Sequence, residues 1–318
     1  MIVFKGGGMI SQPWATLPDR LPRLRHRARL TQAVRAFFSA RGYLEVETPY
    51  LVPVPGEDVH LRAIKAGGKW LNTSPEFAMK MLLGGGAGPI FQIARVWRDE
   101  PASPTHASEF SMLEWYSLNP SMDALIEESF ALLRAVLPPD ITAHGYERLT
   151  VAEAFARYAG ADVLGTAGDA VALAESASAI LRPDETWEDL FFRLLLERIE
   201  PHLGQQKPTY LTHWPAAQAA LARKDSGDPR VAERFELYVG GTELANAFVE
   251  LTDPEEQRAR FLADRARRHA LYGPDWPLDE TFLAALAHLP PCAGIALGFD
   301  RLAMLATGAA RITDVLWL

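Results

Sequence analysis

Apolar and polar positions change period several times along the chain, and each change marks an element. Residues 24–41 follow a helical period and stop at Gly42, a residue suited to the left-handed position after a helix. The run YLEVETPYLVP then alternates as a strand does and is closed by prolines. Further short strands are expected at KWLNTS, PIFQIARVW and FSMLEWYSL, and residues 121–205 turn mostly helical. Thr150 with Glu153 and Thr186 with Asp189 read as capping boxes within that stretch. Strand patterns return at TYLTHW and at RFELYVGGTELANAFVEL. A helix start follows, with Asp253 as N-cap, Pro254 in the first turn and Glu256 behind it. GIALGF into DRLAMLATG reads as a strand running into a helix that stops at Gly308. Sequential hairpins with the helices inserted as a block predict an α+β fold on an antiparallel sheet.

Strand parity separates the faces. In FSMLEWY, Phe110, Met112, Glu114 and Tyr116 share one side, and Ser111, Leu113 and Trp115 share the other. A carboxylate and a phenol beside an aromatic and a Met suit the wall of a pocket. In GIALGF the small residues Gly294, Ala296 and Gly298 point one way, where a flat ligand could lie against backbone, and Ile295, Leu297 and Phe299 the other. Arg98 stands at the exit of one strand and Arg301 in the first turn of the last helix, where a cation opposes the helix dipole unless an anion meets it. Glu243, Asn246 and Glu250 come from one segment. Two arginines and paired carboxylates around a small-residue floor suit a nucleoside triphosphate with Mg²⁺. The glycines of LLGGGAGP match neither GxGxxG nor GxxxxGK[ST], so no Rossmann or Walker phosphate loop is expected.

Composition narrows the class. The chain has 318 residues, 48% of them hydrophobic, and a formal charge of −8, so its surface as a whole does not attract nucleic acid. The arginine-rich run over residues 20–41 reads as a solvated helix face, with a local basic patch as the alternative. The single cysteine, Cys292, excludes an internal disulfide and points to a reducing compartment, hence the cytoplasm; it reads as a small buried hydrophobe. No stretch reaches the length of a membrane span. Met9 is a second candidate for the start, behind a glycine-rich octet.

RGYLEVETP, the RVWRDE…EF hairpin and GIALGFDRL resemble, in order, the three signature motifs of class II aminoacyl-tRNA synthetases. TSPEFAMK, MLEWY, ELANAFVEL and DPEEQRARF are similar to the lysyl branch. The resemblance implies a leader over 1–22 and a catalytic domain over 23–318, with a mostly helical insertion at about 121–205. The family's anticodon-binding barrel would take on the order of 100 residues upstream, which are not there. A free-standing lysyl-type domain that begins like SQPW resembles the branch's paralogue, which attaches a β-lysyl group to a lysine of translation elongation factor P. ELAN in place of the usual EIGN, and ALG in place of GIG, accord with that paralogue.

By that resemblance the substrates are ATP with Mg²⁺, (R)-β-lysine or lysine, and elongation factor P, and tRNA is not the expected acceptor. Arg98 would hold the α-phosphate, Glu100 would seat the adenine with Phe110 stacking on it, and His106 and Leu244 would complete the nucleotide contacts. Arg301 would take the γ-phosphate above the floor at Gly298, and Glu243 and Glu250 would bind Mg²⁺. Ser74, Pro75 and Glu76 would meet the substrate amino group. Glu114, Tyr116, Asn246 and Glu250 would read the rest of its chain. The methyl of Ala296, where glycine is usual, would favour the β-isomer by about 10- to 200-fold. Glu243 and Glu250 are an odd number of residues apart, so sharing one cavity requires a bulge or break near Ala245. Pro104, Ala107 and Ala247 depart from the family's pattern of Arg, Asn and Gly. The first motif implies a homodimer built on RGYLEVETP. Two competing readings are a truncated synthetase that charges tRNA and a non-catalytic regulatory paralogue.

Overall fold

A computed structural model describes residues 13–273 and 276–317. Part of the expected leader, including Met9, lies outside the described residues. The first long helix, α1 (Leu17–Ser39), begins several residues earlier than its period suggests. Pro18, in the first turn, lacks an N–H where none is needed, so it suits the start of this helix, which also runs on through Pro22. After Gly42, at φ +78°, come the short strands β1 (Leu44–Glu45), β2 (Leu51–Val52), β3 (Lys65–Ala66) and β4 (Lys69–Leu71). Helix α2 (Glu76–Gly84) leads to the hairpin β5 (Ile90–Trp97) and β6 (Glu109–Ser117), then to α3 (Met122–Val136).

The stretch that reads as helical is not uniform. It holds α4 (Pro139–Thr142), then β7 (Glu147–Thr150), which pairs parallel with a later strand. Helices α5 (Val151–Ala154), α6 (Ala170–Ser176) and α7 (Trp187–Leu194) follow, the first and last carrying the two expected capping boxes. Strands β8 (Thr209–Pro215), β9 (Val231–Val239) and β10 (Thr242–Val249) precede α8 (Pro254–Tyr272), whose N-terminal N–H groups are capped by Asp253. The chain continues through α9 (Glu280–Leu286) and β11 (Ala293–Gly298) into α10 (Phe299–Thr307), stopped by Gly308 at φ +61°.

The main sheet runs β1-β5-β6-β11-β10-β9-β8-β7. Its two outer pairs are parallel and every pair between them is antiparallel. One face is covered by α1, α3 and α10 over the largest core, which takes Leu113, Trp115, Ile295, Leu297 and Phe299 as parity requires. Phe38 fastens α1 there: its ring stacks on Phe91 at 4.8 Å and meets Trp115 at 5.1 Å. A second core, from Leu149 to Leu203 with Trp214 and Tyr238, packs the inserted helices against the β7 end. A third, around Met79, Phe282 and Cys292, joins α2, α8 and α9. Arg27 departs from the solvated face expected of the arginine run. It is buried in an ion pair with Asp300 and donates to Ser111 Oγ at 3.0 Å. Asp300 also accepts from the Ser111 N–H at 2.8 Å, so one buried pair fixes α1, β6 and the start of α10 together.

Candidate active site

The sheet face opposite the helices opens into a cavity of about 690 Å³, and every site residue expected from the sequence lines it. That volume lies within the range of small-molecule sites. Phe110, Met112, Glu114 and Tyr116 run along its wall on β6, so the distance from first to last is roughly 20 Å at the rise of a strand. The ends differ in chemistry.

At the Phe110 end, Arg98 leaves β5 with its N–H bonded to Ser108 O at 2.9 Å, and its guanidinium lies 5.4 Å from the Phe110 ring centre. Arg98 Nε is buried without a hydrogen-bond partner among the described residues, a donor placed for an incoming acceptor. The loop between the strands turns back on itself. The Glu100 N–H meets Arg98 O, and Ser103 pairs with His106. His106 bridges Ser103 Oγ and Arg301 Nη2, both at 2.7 Å. Arg301 also donates to Glu243 O at 2.6 Å and lies 3.8 Å from the Glu243 carboxylate. Its anionic partner is thus weak, and most of its donors rest on neutral acceptors. A Cβ on Gly298 would come within 3.4 Å of the Arg301 side chain, so the floor is bare where the arginine crosses it. Pro104 O accepts from Ile312 N at 2.7 Å, so the residue that departs from the family's arginine anchors the loop to the C-terminal turn.

At the Tyr116 end the groups are carboxylates. Glu114 accepts from Tyr116 OH at 2.6 Å and from Ser74 Oγ at 2.8 Å. Ser74 in turn accepts from the Glu76 N–H at 3.1 Å where α2 begins after Pro75. Burial, and then the charge of Glu76, push the Glu114 carboxyl up to about 8 despite those two hydrogen bonds. Burial likewise pushes Glu250 up to about 7, with Lys80 opposing. Gly294 makes the arrangement possible. A Cβ there would stand 2.3 Å from the Tyr116 ring and 2.7 Å from Glu250 Oε1, so either side chain would have to shift.

Between the ends, Ala296 is paired with Glu114 on one side and Asn246 on the other. Asn246 Oδ1 accepts from Arg234 Nε at 3.2 Å. The register between β9 and β10 shifts between Glu243 and Ala245, at the place the odd spacing demands. Leu244 sits in the bulge and reaches the core, Ala245 and Ala247 face the core, and Glu243, Asn246 and Glu250 all reach the cavity. Glu243 and Glu250 nevertheless have different neighbours, Arg301 for the first and Lys80 for the second. Among the described residues no group of three or more His, Cys, Asp or Glu could hold a metal ion.

The sequence reading missed two residues. Lys80 is buried between Glu76 and Glu250. Its signal was the Glu-x-x-x-Lys spacing in PEFAMK, ordinarily a surface pair. Arg234 lies buried with its guanidinium 4.1 Å from the Trp214 ring centre and pairs with Glu236 at 2.7 Å. Alternation of Arg234, Glu236 and Tyr238 on one strand face was its signal.

The chain is similar in sequence to known proteins. An "Elongation factor P--(R)-beta-lysine ligase" of Proteus mirabilis strain HI4320 is 43% identical over 319 residues, covering 96% of both chains. Proteins of the same name from Hamiltonella defensa and Salmonella dublin are 41% and 42% identical over 321 residues, again 96% of each chain. The family model for tRNA synthetases class II (D, K and N) matches residues 17–318, and with the antiparallel sheet and its arginine-flanked cavity this makes the chain a member of that family.

Proposed function

We propose that this protein is an ATP-dependent ligase that activates (R)-β-lysine, or lysine, as an adenylate and passes it to the ε-amine of a lysine on elongation factor P. The observation that carries the reading is that one cavity joins two unlike ends, arginines at one and buried carboxylates at the other. Arginines suit phosphates and carboxylates suit the amino groups of a lysine-like molecule.

The amino-acid carboxylate attacks the α-phosphorus, the bond to the bridging oxygen breaks, and pyrophosphate leaves with the electron pair. Negative charge grows on the equatorial oxygens, where Arg98 would donate. Arg301 would meet the outer phosphates, with Phe110 and Glu100 on the adenine. Ser74, Glu76, Glu114, Tyr116, Asn246 and Glu250 would hold the substrate's amino groups and chain. The acceptor amine then attacks the adenylate carbonyl and AMP departs. At a reference pKa of about 10.4, only a few amines in ~10⁴ are neutral at pH 7, so transfer requires a proton acceptor.

Glu243, beside Arg301, is a hard oxygen donor that fits a magnesium ion arriving on phosphates with its own water ligands, whereas Glu250 stands with Lys80 at the opposite end of the cavity and does not fit the same ion. Held by Glu243, such an ion would neutralise charge on the leaving pyrophosphate. A homodimer accords with Leu44, Tyr50 and Leu51, which are 55%, 41% and 44% exposed near the β1 edge of the sheet. Among the described residues no helix is long and apolar enough to cross a membrane, and a lone buried cysteine accords with the cytoplasm.

The test is ATP–pyrophosphate exchange with each lysine isomer, followed by the mass of elongation factor P after incubation with enzyme, ATP and amino acid. Exchange and a gain of one lysyl mass are expected. Exchange with an unmodified partner, or charging of tRNA instead, would overturn the acceptor. No exchange with either isomer would overturn the activation step.

A further inference from the structure

Lys80 plays no part in the chemistry above, yet it is 2% exposed and does not line the cavity. It stands behind two residues that do. Its ammonium donates to Glu76 Oε1 at 2.7 Å and lies 2.5 Å from Glu250 Oε2, with the Tyr116 ring centre 6.0 Å away. Buried amines ordinarily lose their proton, because burial disfavours the charged form. Here the charges of Glu250 and Glu76 outweigh burial, and the ammonium is raised above its ordinary value. Glu250 Oε1 points instead toward Gly294, at the cavity wall. Three carboxylates thus surround this end, Glu76, Glu114 and Glu250, with one resident cation among them.

Resting on the reading of this end as the amino-acid subsite, we infer that Lys80 is a positioning residue that holds the Glu250 and Glu76 carboxylates aimed into the cavity, so that the subsite selects substrates carrying two ammonium groups. One cation offsets one carboxylate, and the remaining negative charge is left for the ligand. Without Lys80 the buried Glu250 carboxylate and the partly exposed Glu76 lose the cation they share, and the cost of an unpaired buried charge turns Glu250 away from the cavity. The naive Coulomb expectation is opposite: removing a cation from an anionic pocket should tighten cation binding. The two accounts are therefore separable by experiment.

Titration calorimetry on the full chain measures (R)-β-lysine, L-lysine, 1,5-diaminopentane and L-norleucine, the last lacking the terminal ammonium, with ATP affinity recorded for each variant. The wild type is expected to favour the dications over norleucine. Lys80→Met should weaken the dications on the order of 100-fold and close that gap, with ATP affinity held within about twofold. Lys80→Arg should recover the selectivity and most of the affinity. Unchanged or tighter dication binding in Lys80→Met overturns the inference, as does Lys80→Arg losing selectivity while still binding ATP. If Lys80→Met loses ATP as well, its fold is disturbed and Lys80→Arg alone decides by the same criterion. Wild type that binds dications without pyrophosphate exchange would refute activation and leave this inference standing. Wild type that binds none of them would refute the inference itself.

Discussion

Arg301 Nη2 and His106 Nε2 stand 2.7 Å apart, and because a guanidinium has only donors, the imidazole accepts. Its proton is therefore on Nδ1, donated to Ser103 Oγ. Burial, and then the charge of Arg301, hold His106 below its ordinary value, so the neutral ring persists on mild acidification. The contact is present above that lowered value and is lost as pH falls through it. His106→Ala should raise the ATP KM by roughly 10- to 100-fold, the range for a hydrogen bond to a charged group. His106→Gln, an acceptor that does not titrate, should abolish the acid-side rise in ATP KM. An acid limb unchanged in His106→Gln would assign that limb elsewhere.

Gly294 gives a sharper spatial test. The substitution Gly294→Ala drives a methyl group into Tyr116 and Glu250. Overpacking costs about 1–3 kcal/mol, here concentrated on the carboxylate end. Amino-acid-dependent pyrophosphate exchange should fall at least tenfold while ATP affinity stays within about twofold. Normal exchange would mean that Tyr116 and Glu250 are free to move.

Proton release follows from Glu114. Raised to about 8, its carboxyl carries a proton at pH 7 and gives it up as an ammonium group arrives. Binding of lysine at pH 7 should expel on the order of one proton, read from the dependence of binding heat on buffer ionisation enthalpy. The release should fade above pH 9, where the empty site is already ionised. Heat independent of the buffer at pH 7 would contradict the assignment.

Ala296 lies between Glu114 and Asn246 on adjacent strands, so its methyl borders both. Ala296→Gly should shift the kcat/KM ratio of β-lysine to α-lysine toward the α-isomer by about 10- to 200-fold, the value of one methyl-sized clash. An unchanged ratio would place isomer selection elsewhere.

The features legible in the sequence are those with a short period. Parity assigned Glu114 and Tyr116 to the pocket and Trp115 to the core, and the odd interval from Glu243 to Glu250 called for the bulge that Leu244 supplies. Capping patterns at Thr150, Thr186 and Asp253 located three helix starts. What escaped depends on contacts between distant segments. Glu76 and Lys80 look like a surface pair until Glu250 is brought over them, and Arg27 looks solvated until Asp300, far along the chain, meets it. Charge pairs of this kind carry no local period, so pattern alone reads them as exposed.

The strand order sets a constraint on synthesis. β11 lies between β6 and β10, although it is the last strand to be made. A ribosome that has not reached residue 293 leaves β5-β6 and β7 to β10 as two part-sheets, each with an open edge that only β11 can fill. Non-local pairing of this sort is slow, and unpaired edges invite association with other chains. A premature stop before β11 thus yields an aggregation-prone nascent fragment.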